Sequence, residues 1–195
     1  MPKANAQDVA GSEPRTGTRS ALLGAAATAI AESGWGNVTT RQVAALAGVN
    51  PGLVHYHFGS MDVLRREAAL HVLATTVEGP ALALLDPGPL AAGVTTSLAK
   101  LAEIEPRSEA ALVLYEAMLA GTRDPELGAL LNRVLEEFKA QLARRISEAG
   151  GRHPVAGAAL LAAALDGLVL HRAVNPDLDP TTVAPCLVAA LGLED

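Results

Sequence analysis

The chain reads as an all-α protein of about nine helices, and three observations carry that reading. Half of its 195 residues are apolar, with alanine and leucine dominant. Apolar side chains recur at spacings of three and four, and no stretch keeps the strict alternation of a half-buried strand. Glycine and proline punctuate the chain where the helical pattern stops. A chain of this length buries one or two cores.

The N-terminal segment, Met1 to Gly17, mixes Pro, Gly, Ser and Ala with charges of both signs and has no apolar centre. It is expected to be a disordered tail, neither a signal peptide nor a membrane anchor. From Arg19 to Val38 a helix is expected: Leu22, Leu23, Ala26, Ala27 and Ile30 form one stripe, and Ser33-Gly34-Trp35-Gly36 ends it.

The next twenty residues, TTRQVAALAGVNPGLVHYHF from Thr39 to Phe58, are the most informative. Thr39 and Gln42 have the spacing of a capping box, in which the hydroxyl accepts from the Gln42 amide and the Gln side chain reaches back to the Thr39 amide. Val43, Ala44 and Ala47 then share a face, and two alanines let another helix cross closely. Gly48 suits the left-handed residue of a sharp turn, with Val49 as the apolar plug beneath it. Asn50 and Pro51 restart a helix as cap and first residue. Within Pro51 to Phe58, Val54 and Phe58 face inward, leaving Pro51, Gly52, Leu53, His55 and Tyr56 at the surface. An exposed Leu, His and Tyr on one short helix call for a partner, and the major groove of DNA supplies one.

At these residues the sequence resembles the TetR family of bacterial transcriptional regulators. The resemblance rests on Thr40, Val43, Ala44, Ala47, Gly48 and Val49, then Val54, His55, Tyr56, His57, Phe58, Ser60, Met61 and Leu64; with the preceding helix it covers roughly residues 18 to 73. It implies a three-helix helix-turn-helix domain over 18–60 and a helical effector-binding and dimerisation domain over 61–195. It also implies that Thr40 and Tyr56 hold phosphates while Arg41, Pro51, Gly52, Leu53 and His55 lie at base edges, with Thr39, Asn50 and His57 beside them. Arg41 is the candidate for a guanine contact. Two positions depart from the family. Met61 stands where a phosphate-touching lysine is usual, and His55 stands where an aromatic is usual.

Charge tempers the picture. Over residues 1 to 62, Lys3, Arg15, Arg19 and Arg41 face Asp8, Glu13, Glu32 and Asp62, and the whole chain carries −6. Nonspecific affinity for DNA comes mostly from phosphate neutralisation, so this domain is expected to depend on fit and dimerisation.

The remainder continues in helices: about Met61 to Glu78, stopped or kinked by Gly79-Pro80; Leu90 to Ile104; Glu109 to Ala120; and a long one opened by Asp124-Pro125-Glu126 and closed by Gly150-Gly151. Leu127, Leu130, Leu131, Val134, Leu135, Phe138, Leu142 and Ile146 give that long helix one dry face. Between Val155 and Leu170 the only charge is Asp166, so this helix must be covered on more than one side. A last helix starts near Thr182 with Pro185 in its first turn. No uninterrupted apolar run reaches membrane-spanning length, and no membrane partner is expected.

By resemblance the last two helices pair with their twins in a four-helix interface, with Leu161, Leu165, Leu168, Leu187 and Leu191 as candidates; a single-subunit core would give the same pattern. The resemblance also implies an effector cavity, with Tyr115 and Met118 as candidate walls and a largely apolar small molecule as occupant. Cys186, the only cysteine, excludes an intrachain disulfide and fits a reducing cytoplasm, as inert packing in an apolar run. Neither metal nor cofactor is expected. His55 and His57 point to different helix faces, His71, His153 and His171 are far apart, and no catalytic or phosphate-loop motif occurs. The expected function is a ligand-responsive regulator, a repressor released from a palindromic operator as a homodimer. The competing reading is a helical ligand- or partner-binding protein without specific DNA recognition.

Overall fold

A computed structural model describes residues 13–193, with side chains from residue 17. Among the described residues there are nine α-helices and no strand: α1 (Glu13–Ser33), α2 (Thr40–Leu46), α3 (Gly52–Phe58), α4 (Met61–Leu85), α5 (Leu90–Glu103), α6 (Glu109–Gly121), α7 (Pro125–Glu148), α8 (Pro154–Val174) and α9 (Ala184–Leu191). Short 3₁₀ turns lie at Trp35–Asn37 and Pro180–Val183. The expected tail falls outside the described residues up to position 12, but Glu13 to Gly17 belong to α1. Proline is tolerated in a first helical turn because the amide it lacks has no partner there.

The chain divides into two compact units between His71 and Val72, further along than a boundary at Ser60. The reason is local to α4, whose Leu64, Ala68 and Ala69 are buried within the first unit. In that unit Leu22, Ala26, Ala29 and Ile30 of α1, Val43 and Ala44 of α2 and Val54 of α3 are almost completely covered.

Helix α4 also outruns its expected end, continuing through Gly79-Pro80 to Leu85. Glycine before proline relieves the clash that normally excludes the α conformation there, and Leu84, fully buried, holds the last turns in the second core. That core joins Leu90, Val94, Leu98 and Leu101 of α5, Leu142 and Ile146 of α7, Leu161 and Leu168 of α8, and Leu187 and Leu191 of α9. The C-terminal turn of α5 is closed by Arg172 of α8, whose guanidinium donates to the carbonyls of Leu101 (2.6 Å), Ala102 (2.8 Å) and Ile104 (2.9 Å). Cys186 does not pack inward as expected but is exposed.

Although charged residues interrupt their apolar runs, α4 and α8 are each long and apolar enough to cross a membrane by length and composition. Their apolar character is spent otherwise. One face of each enters the core described above, and other faces border the cavity described below.

Glycines allow close backbone approaches between helices. A Cβ on Gly128 of α7 would lie 2.6 Å from the carbonyl oxygen of Gly121 at the end of α6, and one on Gly24 of α1 would meet nothing within 4 Å. Gly128→Ala is therefore expected to lower stability by about 1–3 kcal/mol, because two backbones must separate. Gly24→Ala should raise it by roughly 0.5–1 kcal/mol through helix propensity; thermal melts of the two variants check both signs.

Candidate functional site

The first candidate site is the outer surface of α2 and α3. Thr39 caps α2 by accepting from the Gln42 amide at 3.2 Å. The reciprocal arm of the expected capping box goes elsewhere: Gln42 Nε2 donates to Ser33 Oγ at 3.4 Å, and Ser33 in turn donates to the Ala29 carbonyl at 2.6 Å. The cap thus ties α2 to the end of α1. Gly48 takes φ +65°, and the Val49 amide folds back to the Ala44 carbonyl at 2.9 Å, closing the turn. Asn50 then caps α3, its Oδ1 accepting from the Gly52 amide at 2.9 Å.

What faces outward follows from what is fixed inward. Val54 is fully buried and Phe58 nearly so. The Arg19 guanidinium lies 4.8 Å over the Phe58 ring and pairs with Glu67 of α4, joining the end of α3 to α1 and α4. Arg65 covers the Trp35 ring at 5.6 Å, donates to the Trp35 carbonyl at 2.6 Å and pairs with Asp62. Two cations of a weakly charged domain are therefore held in structure, and Arg41 is the one Lys or Arg on α2 or α3.

Thr39, Arg41, Asn50, Pro51, Gly52, His55 and Tyr56 are exposed, Tyr56 at 62 %, while Thr40, Leu53 and His57 are half-buried. All ten sequence-predicted residues thus lie on or beside α2, the turn and α3, seven of them exposed and three half-buried. His55 Nδ1 lies 3.0 Å from the Gly59 carbonyl oxygen. In the tautomer that donates there, Nε2 is left as an acceptor.

The second candidate site is a cavity of about 790 Å³ within the second unit. Its walls come from α4, the end of α5, α6, α7 and α8, with Leu82, Met118, Leu131, Phe138, Leu165 and Val169 among the apolar lining. Leu82, Met118 and Val134 are large apolar side chains left 57 %, 54 % and 42 % accessible, and all three border this space. The cavity also explains why the apolar face of α7 is not uniformly dry. Leu127, Leu142 and Ile146 are buried, whereas Leu131, Val134, Leu135 and Phe138 between them line the void.

Of the two predicted wall residues, Met118 lines the cavity and Tyr115 does not. The Tyr115 hydroxyl donates to the Val169 carbonyl at 3.0 Å and approaches the Pro106 carbonyl at 3.2 Å, pinning α6 to α8. Burial raises its pKa, and Arg172 partly opposes that. Besides Thr75 and Thr122, five polar side chains that sequence reasoning had not assigned to a ligand site reach the cavity: Glu78, Asn132, Glu137, Gln141 and Asp166. The signal for Asp166 was its solitude in an apolar helix; nothing local marked the other four.

The predicted dimer residues need correction. Leu161, Leu168, Leu187 and Leu191 lie in the unit's own core, and Leu165 packs against it while lining the cavity. They are consumed inside one subunit. The exposed residues of α8 are Val155 (79 %), Leu160 (47 %), Leu170 (56 %) and Val174 (81 %), with Ala156, Ala159, Ala163, Asp166 and His171 among them. No group of residues suited to holding a metal ion occurs among the described residues.

Burial raises the pKa of Asp166 above the usual carboxylate value. A raised acid binds its proton more tightly folded than unfolded, so its contribution to stability is present at low pH and lost as pH rises through the raised value. Asp166→Asn is accordingly expected to raise the melting temperature at pH 7. The gain should vanish as pH falls below about 4, the ordinary aspartate value, which melts across pH will show.

Comparison with known proteins agrees with this geometry. The pattern of the family described as bacterial regulatory proteins, tetR family, matches residues 22–68. That of the tetracyclin repressor-like C-terminal domain matches residues 85–193. A transcriptional regulator from Rhodococcus sp. Rha1 is 25 % identical with a TM-score of 0.74, over 90 % of this chain and 94 % of its own. Salmonella enterica GusR is 23 % identical at 0.70, over 90 % and 95 %. The multidrug binding protein EbrR, solved with imidazole, is 24 % identical at 0.68, over 89 % of each chain. No curated protein matches the sequence. With one family pattern on the reading surface and another spanning more than half of the chain, this protein belongs to the TetR family of bacterial regulatory proteins.

Proposed function

We propose that the protein is a ligand-responsive DNA-binding regulator of transcription, a repressor that leaves a palindromic operator when a small molecule enters its cavity. The observation that carries this reading is the α2–α3 surface. Its inner side is sealed by Val43, Val54 and Phe58, while its outer side presents Arg41, Pro51, Gly52, His55 and Tyr56 to solvent. In this role Arg41, Pro51, Gly52, Leu53 and His55 meet base edges. Thr40 and Tyr56 hold phosphates, and Thr39, Asn50 and His57 position them. Members of the family bind DNA and small-molecule effectors, generally as dimers.

Two-fold pairing follows from the outer face of α8. Val155, Leu160, Leu170 and Val174 make an apolar strip that a twin copy would cover, and two reading heads would then enter successive major grooves of an operator with matching symmetry. Ligand occupancy need only favour a dimer with wrongly spaced heads, a coupling of about 1–3 kcal/mol. Such a protein acts in the cytoplasm, where the DNA is, and performs no catalysis.

The second reading, a ligand- or partner-binding bundle without specific DNA recognition, is favoured by Met61 in place of a phosphate-binding lysine and by the pairing of Arg19 and Arg65 within the domain. Selection from a random duplex library separates the two: enrichment of a palindrome supports the repressor, and its absence supports the bundle.

Arg41→Ala is expected to relax preference at one base pair per half-site at a cost of about 1–3 kcal/mol, while Tyr56→Phe weakens all sequences alike. Binding titrations against single-base operator variants would reject the role of Arg41 if its loss were uniform. Leu170→Glu should place two carboxylates across the proposed two-fold and give monomers by light scattering, with operator affinity falling at least about tenfold as the second head is lost.

A further inference from the structure

We propose that the cavity of the second unit is built for a lipophilic cation, an apolar molecule carrying one positive charge on an amine or quaternary centre, with Asp166 as its countercharge. The inference rests on the cavity being the effector site and adds the chemical class of the effector. Its basis is the sign of the lining. Glu78 enters from α4, Glu137 from α7 and Asp166 from α8, while no Lys, Arg or His lines the space and α5 and α6 contribute no ionisable group to it. The other polar lining groups, Thr75, Thr122, Asn132 and Gln141, are uncharged.

Asp166 is the carboxylate best placed to select charge. It follows Ala162 and Leu165 and precedes Val169 on the cavity face of α8. It has no hydrogen-bond or ion-pair partner among the described residues. Burial already disfavours its charged form. Asp166, like Glu78 and Glu137, is accessible rather than sealed in, and an accessible carboxylate that stands beside apolar lining without a partner gains from a ligand that brings the missing positive charge. An anion would meet three carboxylates with no cation to offset them. A neutral apolar molecule would fill the volume and leave Asp166 unpaired.

The size of the space, about 790 Å³, lies within the range of pockets that enclose drug-sized molecules. The aromatic ring of Phe138 on the wall adds a face that attracts a cation.

The test uses the full-length protein without DNA and three probes of similar shape: tetraphenylphosphonium, tetraphenylborate and neutral triphenylmethanol. Calorimetry should show saturable binding of the phosphonium and none of the borate at equal concentration. Because the phosphonium charge does not titrate, its affinity should rise as pH is raised through the carboxylate range. Asp166→Asn should weaken the phosphonium by roughly tenfold to a hundredfold, the effect of a contact to a charged group, and leave triphenylmethanol unchanged. Glu78→Gln and Glu137→Gln should each have smaller effects. Retained binding of triphenylmethanol and a melting temperature no lower than wild type show that Asp166→Asn is folded; if it does not fold, the comparison of phosphonium with borate on the wild type decides alone. Equal or tighter binding of the borate, unchanged phosphonium affinity in Asp166→Asn, or binding of none of the probes overturns the proposal. Phosphonium binding as expected with no effect on operator affinity would leave the ligand class standing and reject instead the reading of this cavity as a regulatory site.

Discussion

Helix α8 must find cover on three sides, and the second unit is arranged around that requirement. Its twenty-one residues hold Asp166, His171 and Arg172 as their only ionisable side chains. One face, through Leu161 and Leu168, enters the core with α5, α7 and α9. A second, through Ala162, Leu165, Asp166 and Val169, borders the cavity. The third, through Val155, Leu160, Leu170 and Val174, lies open. Each face recurs at helical spacing, so no rotation of α8 could serve one without moving the others. A change on the cavity face is thereby a change on the outer face of the same rigid element.

The few polar groups near α8 set its register. Arg172 binds the last carbonyls of α5, which helix geometry leaves without partners, and Tyr115 takes the Val169 carbonyl from α6. These bonds leave a firm end at residues 169 to 172 and a charged wall position at Asp166 just before it. The first unit uses its arginines alike. Arg19 and Arg65 lie over aromatic rings and pair with acids of α4, so the reading surface is stiffened by charges that a more basic domain would turn toward phosphate.

The helices and the reading surface could be read from the sequence because local rules decide them. Thr39 and Asn50 cap whatever helix follows, Gly48 fits the turn whatever surrounds it, and Val54 and Phe58 have a spacing that allows one inward face. Long-range choices could not be read. The reach of α4 past Pro80 depends on Leu84 meeting the second core. The second arm of Gln42 goes to Ser33, nine residues away, where the capping-box pattern assumed a local partner. Periodicity gave α8 and α9 a surplus of apolar surface but not its division, so leucines of the core were mistaken for leucines of an interface. Along α7 the same period describes residues facing protein and residues facing a void, because hydropathy records only that water is disfavoured.

Scarcity of charge links the two sites. In the proposed function, a reading head with Arg41 as the only Lys or Arg on α2 and α3 gains little from phosphates at large, so its hold on DNA would depend on docking both heads of a dimer at once. That dependence makes geometry the controlling variable. In a strongly basic domain, a small change in head spacing would be masked by nonspecific attraction; here it would remove a large share of the binding. In the proposed dimer the outer face of α8 joins the two copies, while Ala162, Leu165, Asp166 and Val169 of the same helix line the cavity. Under the two proposals, a cation drawn to this carboxylate acts on the helix that joins the two copies, and a weakly charged reading surface and an acidic cavity wall would be complementary parts of one switch.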